Sequence, residues 1–325
     1  MSSGARRLLQ LALVALIVYF LALAVVRSVR ELEPVTLEPK VGVLALSLVA
    51  FCLHMLVRAL AWQLLTKSNQ AAIPFADAAI AWTVSLLGRY LPGKVLLLVG
   101  RLYFYRQHGR SSVRVSACFV LEILYVLVAS LLMLLVALPQ LEAVAPFRAW
   151  LLALIAVIVL LPLLHPRVQE TFLNGALRVL RREPMVVESK VRDGILVLAT
   201  QVVAWTVCGL GLVLLIRAVH PLDLRQCVFV GGAFSFASLV GMAAVFVPAG
   251  LGVREGVLAA LLSLVVPGPV ALVACVGARL WATAGEVLCA GIAYAVPWVV
   301  RRARGRSTVP GPDLTPSSQP GPSEG

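Results

Sequence analysis

Six apolar runs of 18 residues or more leave few folds open to this chain: Leu8–Val26, Val41–Leu65, Val113–Leu138, Phe147–Leu164, Ile195–Ile216 and Val270–Val299. Each is long enough, as an α-helix, to cross the roughly 30 Å hydrocarbon core of a bilayer. Hydrophobic residues make up 61% of the sequence and charged residues only 13%, far from the balance of a soluble globular protein. A membrane β-barrel would show short alternating segments instead. The runs predict an all-α polytopic membrane protein. Ala22-Leu23-Ala24 faintly resembles a signal-peptidase site. A run as long as Leu8–Val26, introduced by Arg6 and Arg7, nevertheless suits a retained helix better.

Two further apolar stretches, Ile73–Tyr105 and Gln226–Val266, are interrupted. The first breaks at Arg89-Tyr90-Leu91-Pro92-Gly93-Lys94 and the second at Phe246-Val247-Pro248-Ala249-Gly250-Leu251-Gly252-Val253-Arg254-Glu255. Proline removes an amide donor and glycine admits backbone angles other residues avoid, so no helix runs cleanly through either motif. At membrane depth, such breaks and charges are tolerated only inside the protein or along a cavity. Each stretch therefore either crosses the membrane or forms a re-entrant hairpin that breaks near the midplane and returns.

Loop charge favours the hairpins. With a cytoplasmic N-terminus, sixteen Lys and Arg fall in cytoplasmic segments and six in external ones, as the positive-inside rule requires. The predicted topology is six full spans plus two hairpins in the cell membrane, both chain termini cytoplasmic. The same clustering at run ends accounts for the net charge of +13 and argues against nucleic acid as a partner. The polar, basic stretch His165–Arg192, amphipathic around Val168–Leu180, reads as a surface segment. Residues 301–325, four arginines and a Pro/Gly/Ser tail, read as disordered.

The order span–hairpin–span occurs twice, at about 41–138 and about 195–299, with the copies entering from opposite sides. Inverted repeats whose broken helices meet near the midplane are a recurring transporter plan. Helices beginning after the breaks, at about Lys94 and Val253, would offer an anion free amide donors and a partial positive charge. The charges within the apolar layer are Arg58, Arg89, Lys94, Arg101, Arg254 and Arg279 against Asp77, Glu122, Glu255 and Glu286. Each costs roughly 2.5–3.5 kcal/mol to place there on insertion scales. The surplus cations call for an anion, and in a membrane a lipid phosphate is the obvious one.

Arg89, Lys94, Arg101 and Arg254 are thus the expected phosphate-binding set. Glu122, Glu255, Arg279 and Glu286 would hold those cations and re-pair as the cavity fills and empties. Pro92, Gly93, Pro248, Gly250 and Gly252 would supply the breaks and the hinge. Plainer readings stand beside these. Glu122 and Glu286 serve equally well as structural partners for Arg89, Arg101 or Arg254. Arg58, on one face with His54 and Trp62, reads as a side chain reaching the cytoplasmic interface. Asp77 reads as interfacial, and Gly231, Gly232, Ser235 and Gly241 as residues for close helix contact. The six cysteines and four histidines show no ligand or disulfide spacing, so no metal or cofactor is expected. With no nucleotide-binding loop, transport would be passive or coupled to an ion gradient.

The Arg89–Lys94 motif, Glu122, and Pro248-Ala249-Gly250-Leu251-Gly252-Val253-Arg254-Glu255-Gly256 together resemble the lysylphosphatidylglycerol synthetase transmembrane-domain family, flippase-like integral membrane proteins. The resemblance covers roughly residues 10–300 and implies a flippase-like domain over 1–300. In that family the membrane domain of bifunctional enzymes moves aminoacylated phosphatidylglycerol across the bilayer, and stand-alone relatives are linked to other lipids or lipid-linked sugars. Some 25 residues follow Val300, too few for a synthetase domain, so a stand-alone lipid transporter rather than an enzyme is the expectation. The membrane lipid would be the substrate, and envelope-biosynthesis proteins the partners. Two other classes stay open. A membrane enzyme needs an acid/base pair or clustered carboxylates, which the isolated acids do not offer. A scaffold subunit would make the buried charges purely structural.

Overall fold

A computed structural model of the chain describes residues 40–90, 95–141, 146–147, 149–150, 153–154, 157, 166–179, 190–244, 250 and 252–304. Among these the regular structure is helical throughout: α1 (Val41–Ser68), α2 (Phe75–Leu86), α3 (Val95–Gln107), α4 (Ser112–Ala137), α5 (Pro166–Val179), α6 (Val191–Arg217), α7 (Leu224–Ala243), α8 (Val253–Leu262) and α9 (Gly268–Arg304). Short 3-10 turns at Leu87–Tyr90 and Leu138–Gln140 extend α2 and α4. The expected span Leu8–Val26, most of Phe147–Leu164 and the tail beyond Arg304 lie outside the described residues. The last helix continues to Arg304, past the expected end of the domain at residue 300.

Helices α1, α4, α6, α7 and α9 are long and apolar enough to cross a membrane. Their inward faces build one core around Trp62, Trp82, Phe229, Phe234 and Leu212, while Val49, Leu53, Val203, Leu210 and Leu280 face outward. Apolar side chains on both sides of a helix are what a bilayer solvent allows.

α1 and α6 lie antiparallel along their whole length. The Lys40 amide donates to Ala218 O at 3.5 Å, and His54 Nδ1 lies 2.7 Å from Ala204 O. The start of α1 is therefore beside the end of α6. This register has a topological consequence. The hairpin that follows α1 opens at one end of the bundle, and the hairpin that follows α6 opens at the other.

Both interrupted stretches fold back on themselves. In the first, Arg101 Nε donates to Ser85 Oγ at 3.2 Å and Asp77 Oδ2 lies 3.2 Å from His108 Nε2, so α2 and α3 are paired antiparallel. In the second, Gln226 Nε2 donates to Val265 O at 2.8 Å while Gly241 abuts Arg254. α7 and α8 are thus antiparallel too.

The arms differ from a pair of equal re-entrant legs. α2 and α3 have 12 and 13 residues, about 18–20 Å, but α7 has 20, about 30 Å and a full span's length. α8 has only 10 residues, about 15 Å, so the two legs of the second hairpin are unequal. The cause is local: no proline occurs between Leu224 and Ala243, and the glycines there are held by close neighbours. A Cβ on Gly232 would collide with Ala137, and one on Gly241 would come within 2.7 Å of the Arg254 Cβ. These contacts meet the expectation that Gly231, Gly232 and Gly241 serve close approach, with Gly209 backing directly onto Gly231; Ser235 is buried and donates to Gly232 O on its own helix at 2.8 Å.

α5 lies against α4, where Tyr125 hydrogen-bonds Gln169 and Leu173 is buried, leaving Val168 and Phe172 exposed. This two-faced helix matches the surface segment read from the sequence. All six cysteines are free.

Candidate functional site

The first hairpin delivers Arg101 into the core. Six residues into α3, it follows Gly100, whose missing side chain lets α3 approach α2 at Ser85. Arg101 is 2% exposed and its Nη1 bonds the Glu122 carboxylate of α4. Its guanidinium stacks 4.1 Å from the Trp62 ring and 5.2 Å from Phe119. A flat, weakly hydrated cation tolerates such a box where an ammonium would not. Glu122, 4% exposed, accepts a second bond from Trp82 Nε1 at 2.8 Å and has Arg58 Nη2 at 3.6 Å. Two guanidiniums therefore share one carboxylate. Trp62 is fixed in turn, its Nε1 donating to the Tyr105 hydroxyl at 2.8 Å.

The second break builds its own cluster. Gly252 has φ +81° and caps α8, its amide donating to Glu255 Oε2 at 2.8 Å. The same carboxylate receives Arg279 Nη1 of α9 on Oε1 at 3.4 Å. Arg254, the residue before, places its guanidinium 4.7 Å from the Phe234 ring of α7. Glu286 is buried one α9 face along and acts electrostatically on Arg254, as do Glu255 and Arg279. Gly250, at φ +66°, fits because a Cβ there would lie 2.5 Å from Gly241 O.

A run of rings joins the two clusters. From Arg58 it passes to Trp205 (5.6 Å), His54 (5.6 Å), Phe51 (5.8 Å), Trp281 (4.7 Å), Phe234 (6.1 Å) and Arg254 (4.7 Å). Counting turns from the helix ends, Glu122 is about 15 Å from one end of the bundle and Arg279 about 16 Å from the other. The charges sit on either side of the middle. Among the described residues no three of His, Cys, Asp and Glu stand close enough to hold a metal ion.

The sequence-predicted residues divide accordingly. Arg101 meets Glu122, and Glu255 meets Arg279 with Arg254 beside them. Gly250 and Gly252 take the left-handed backbone their role as a break requires. α3 and α8 begin at Val95 and Val253, directly after the breaks. Arg89 is in the 3-10 turn Leu87–Tyr90 with its side chain outside the described residues, where Pro92, Gly93, Lys94 and Pro248 also fall. Arg58 requires a correction. It does not reach toward an interface but turns inward to Glu122, with a side chain 14% exposed, because Trp82 and Trp205 flank its guanidinium. Asp77 is at the open end of the first hairpin, its side chain 43% exposed. Trp62, Trp82, Tyr105, Trp205, Trp281 and Phe234 were not among the expected site residues. Only the spacing of His54, Arg58 and Trp62 on one helical face hinted at them.

A bundle of membrane-length helices that closes over buried ion pairs is an all-α, multi-pass membrane protein. Over residues 7–289 the sequence matches the family of the lysylphosphatidylglycerol synthase TM region, and the chain belongs to that family. No curated protein matches it.

Proposed function

We propose that the protein translocates the headgroup of an anionic lipid, a phospholipid or a polyprenyl phosphate, across the cell membrane. One observation carries this reading: Arg58 and Arg101 converge on the single carboxylate of Glu122, with Arg101 and Glu122 buried and the Arg58 side chain 14% exposed. Two guanidiniums thus meet one carboxylate in a place where charge is costly. A phosphate entering from the bilayer would take up one guanidinium and leave the other to Glu122. Arg254 and Arg279 are balanced by Glu255 and Glu286, which suits a second station that releases what the first has bound.

We further infer an inverted repeat, α1–α2–α3–α4 against α6–α7–α8–α9. Its support is the antiparallel register of α1 and α6 and the opposite mouths of the two hairpins. The headgroup would pass between the hairpins along the aromatic run while its tails stay in lipid. Lys67, Arg106, Arg110 and Arg114 cluster at the mouth of the first hairpin, which favours the cytoplasm for that end and for both chain termini.

The test is a liposome assay. Protein is reconstituted with fluorescently labelled phosphatidylglycerol, and the label exposed at the outer face is quenched chemically. Arg101→Gln, Arg254→Ala and Lys94→Ala each slow the inner-leaflet pool's arrival by about tenfold or more, the scale of one lost charge-assisted contact. Wild-type rates in all three variants would remove the phosphate site, and with it this function.

A further inference from the structure

Gln201 on α6 is 1% exposed, yet neither its amide nitrogen nor its carbonyl oxygen meets a hydrogen-bonding partner among the described residues. One turn on, Trp205 is buried with its indole N–H in the same condition. Residues at i and i+4 share a helix face. Other polar side chains on α6 behave differently: Thr200 and Thr206 bond back to Leu196 O and Val202 O on their own helix. Gln201 and Trp205 are too long to do so. Buried donors and acceptors without partners are rare and unfavourable, and a leucine would fill the position at Gln201 with less cost.

Their neighbourhood gives the pair a direction. The Trp205 ring is 5.6 Å from the Arg58 guanidinium and 5.6 Å from His54. His54 is level with Ala204, to which its ring bonds at 2.7 Å. In the antiparallel register Arg58, one turn beyond His54, is then level with Thr200 and Gln201. An amide that both donates and accepts, an indole that donates and a guanidinium therefore line one stretch of the α1–α6 contact.

We propose that Gln201 and Trp205 recognise the hydroxyl groups of the lipid headgroup whose phosphate binds at Arg58 and Arg101. The assignment rests on the anionic-lipid reading above and adds the headgroup's chemistry. A hydroxyl is donor and acceptor at once, matching the amide of Gln201, and its oxygen accepts from the Trp205 indole. An ammonium would face the Arg58 charge, and a carboxylate would leave the Gln201 amide nitrogen served but its carbonyl oxygen opposed. A polyol, glycerol-like or sugar-like, satisfies both residues.

Full-length protein in nanodiscs is titrated with three lipids, and binding is read by native mass spectrometry. Phosphatidylglycerol and phosphatidylpropanol carry the same phosphate and a three-carbon headgroup but differ by two hydroxyls; phosphatidylcholine is the neutral reference. Wild-type protein binds phosphatidylglycerol about tenfold or more tighter than phosphatidylpropanol, since a site built for a hydroxyl penalises its absence. Gln201→Leu abolishes that preference while phosphatidylpropanol binding, which also certifies the fold, stays at the wild-type level; Trp205→Phe, whose ring flanks Arg58, also abolishes it and is read as the ratio of the two anionic lipids. Equal binding of the two anionic lipids by wild type overturns the proposal, and so does a preference that survives both variants, which would make Gln201 the holder of a structural water. Failure of wild type to prefer either anionic lipid over phosphatidylcholine overturns the anionic-lipid reading itself, an outcome distinct from the other two.

Discussion

Glu122 is the residue on which the first cluster turns, and its partners make the two possible truncations unequal. Removing Arg101 leaves the carboxylate with Arg58 at 3.6 Å and with the Trp82 indole. Removing the carboxylate takes that partner from two guanidiniums at once, one buried and one 14% exposed. Loss of one partner from a buried pair costs about 3–5 kcal/mol, most of it from the charge left behind. Glu122→Gln should therefore lower the apparent melting temperature in detergent well below that of Arg101→Gln, although both delete the same ion pair. A common unfolding temperature for the two variants would mean that Arg58 does not belong to the cluster. None of this asymmetry was legible in the sequence. Arg58 and Glu122 are 64 positions apart, and nothing in the apolar run around Arg58 shows which neighbour its face meets. The stripe of His54, Arg58 and Trp62 says that they share a direction, but the direction is set by α6.

Elements meet in this protein through missing side chains, and those contacts are directional. A Cβ on Gly209 would stand 2.7 Å from the Gly231 Cα, whereas one on Gly231 would find its nearest neighbour at 3.6 Å. The first distance forces α6 and α7 apart; the second is ordinary contact. Gly231→Ala should be close to neutral, and Gly209→Ala should cost about 1–3 kcal/mol, the usual range for overfilling a core. Thermal unfolding of the two proteins side by side decides the matter, and equal stability would contradict the close α6–α7 contact. Gly250→Ala combines such a clash with φ +66°, and left-handed backbone alone costs a side chain about 1–2 kcal/mol.

At this scale the sequence was informative where proline and glycine break a run. It placed the starts of α3 and α8 and the fold-back of both stretches. It read Gly231, Gly232 and Gly241 as residues for close helix contact without showing which neighbours they meet. In the structure each is braced by a neighbouring helix that no local pattern reveals.

For the whole molecule, the antiparallel register of α1 and α6 decides how the two hairpins face. The Lys40 amide at Ala218 O places the start of α1 beside the end of α6. Residues around Asn69 and His108 therefore occupy one end of the bundle, and residues around Pro221 and Ser263 the other. Lys67, Arg106, Arg110 and Arg114 are at the first end, with Lys40, Arg217 and Arg225 at the second. The proposed translocation would require such a two-sided arrangement, since each mouth would open without the other. The consequence can be read by labelling. In a background with the six native cysteines replaced, single cysteines at Asn69 and His108 should react with a membrane-impermeant maleimide only from the cytoplasmic face. Cysteines at Pro221 and Ser263 should react only from the outside. Labelling of all four from one face would require both hairpins to open on the same side. That would dissolve the inverted repeat and leave the Arg58–Glu122 and Glu255–Arg279 clusters without a path that joins opposite surfaces.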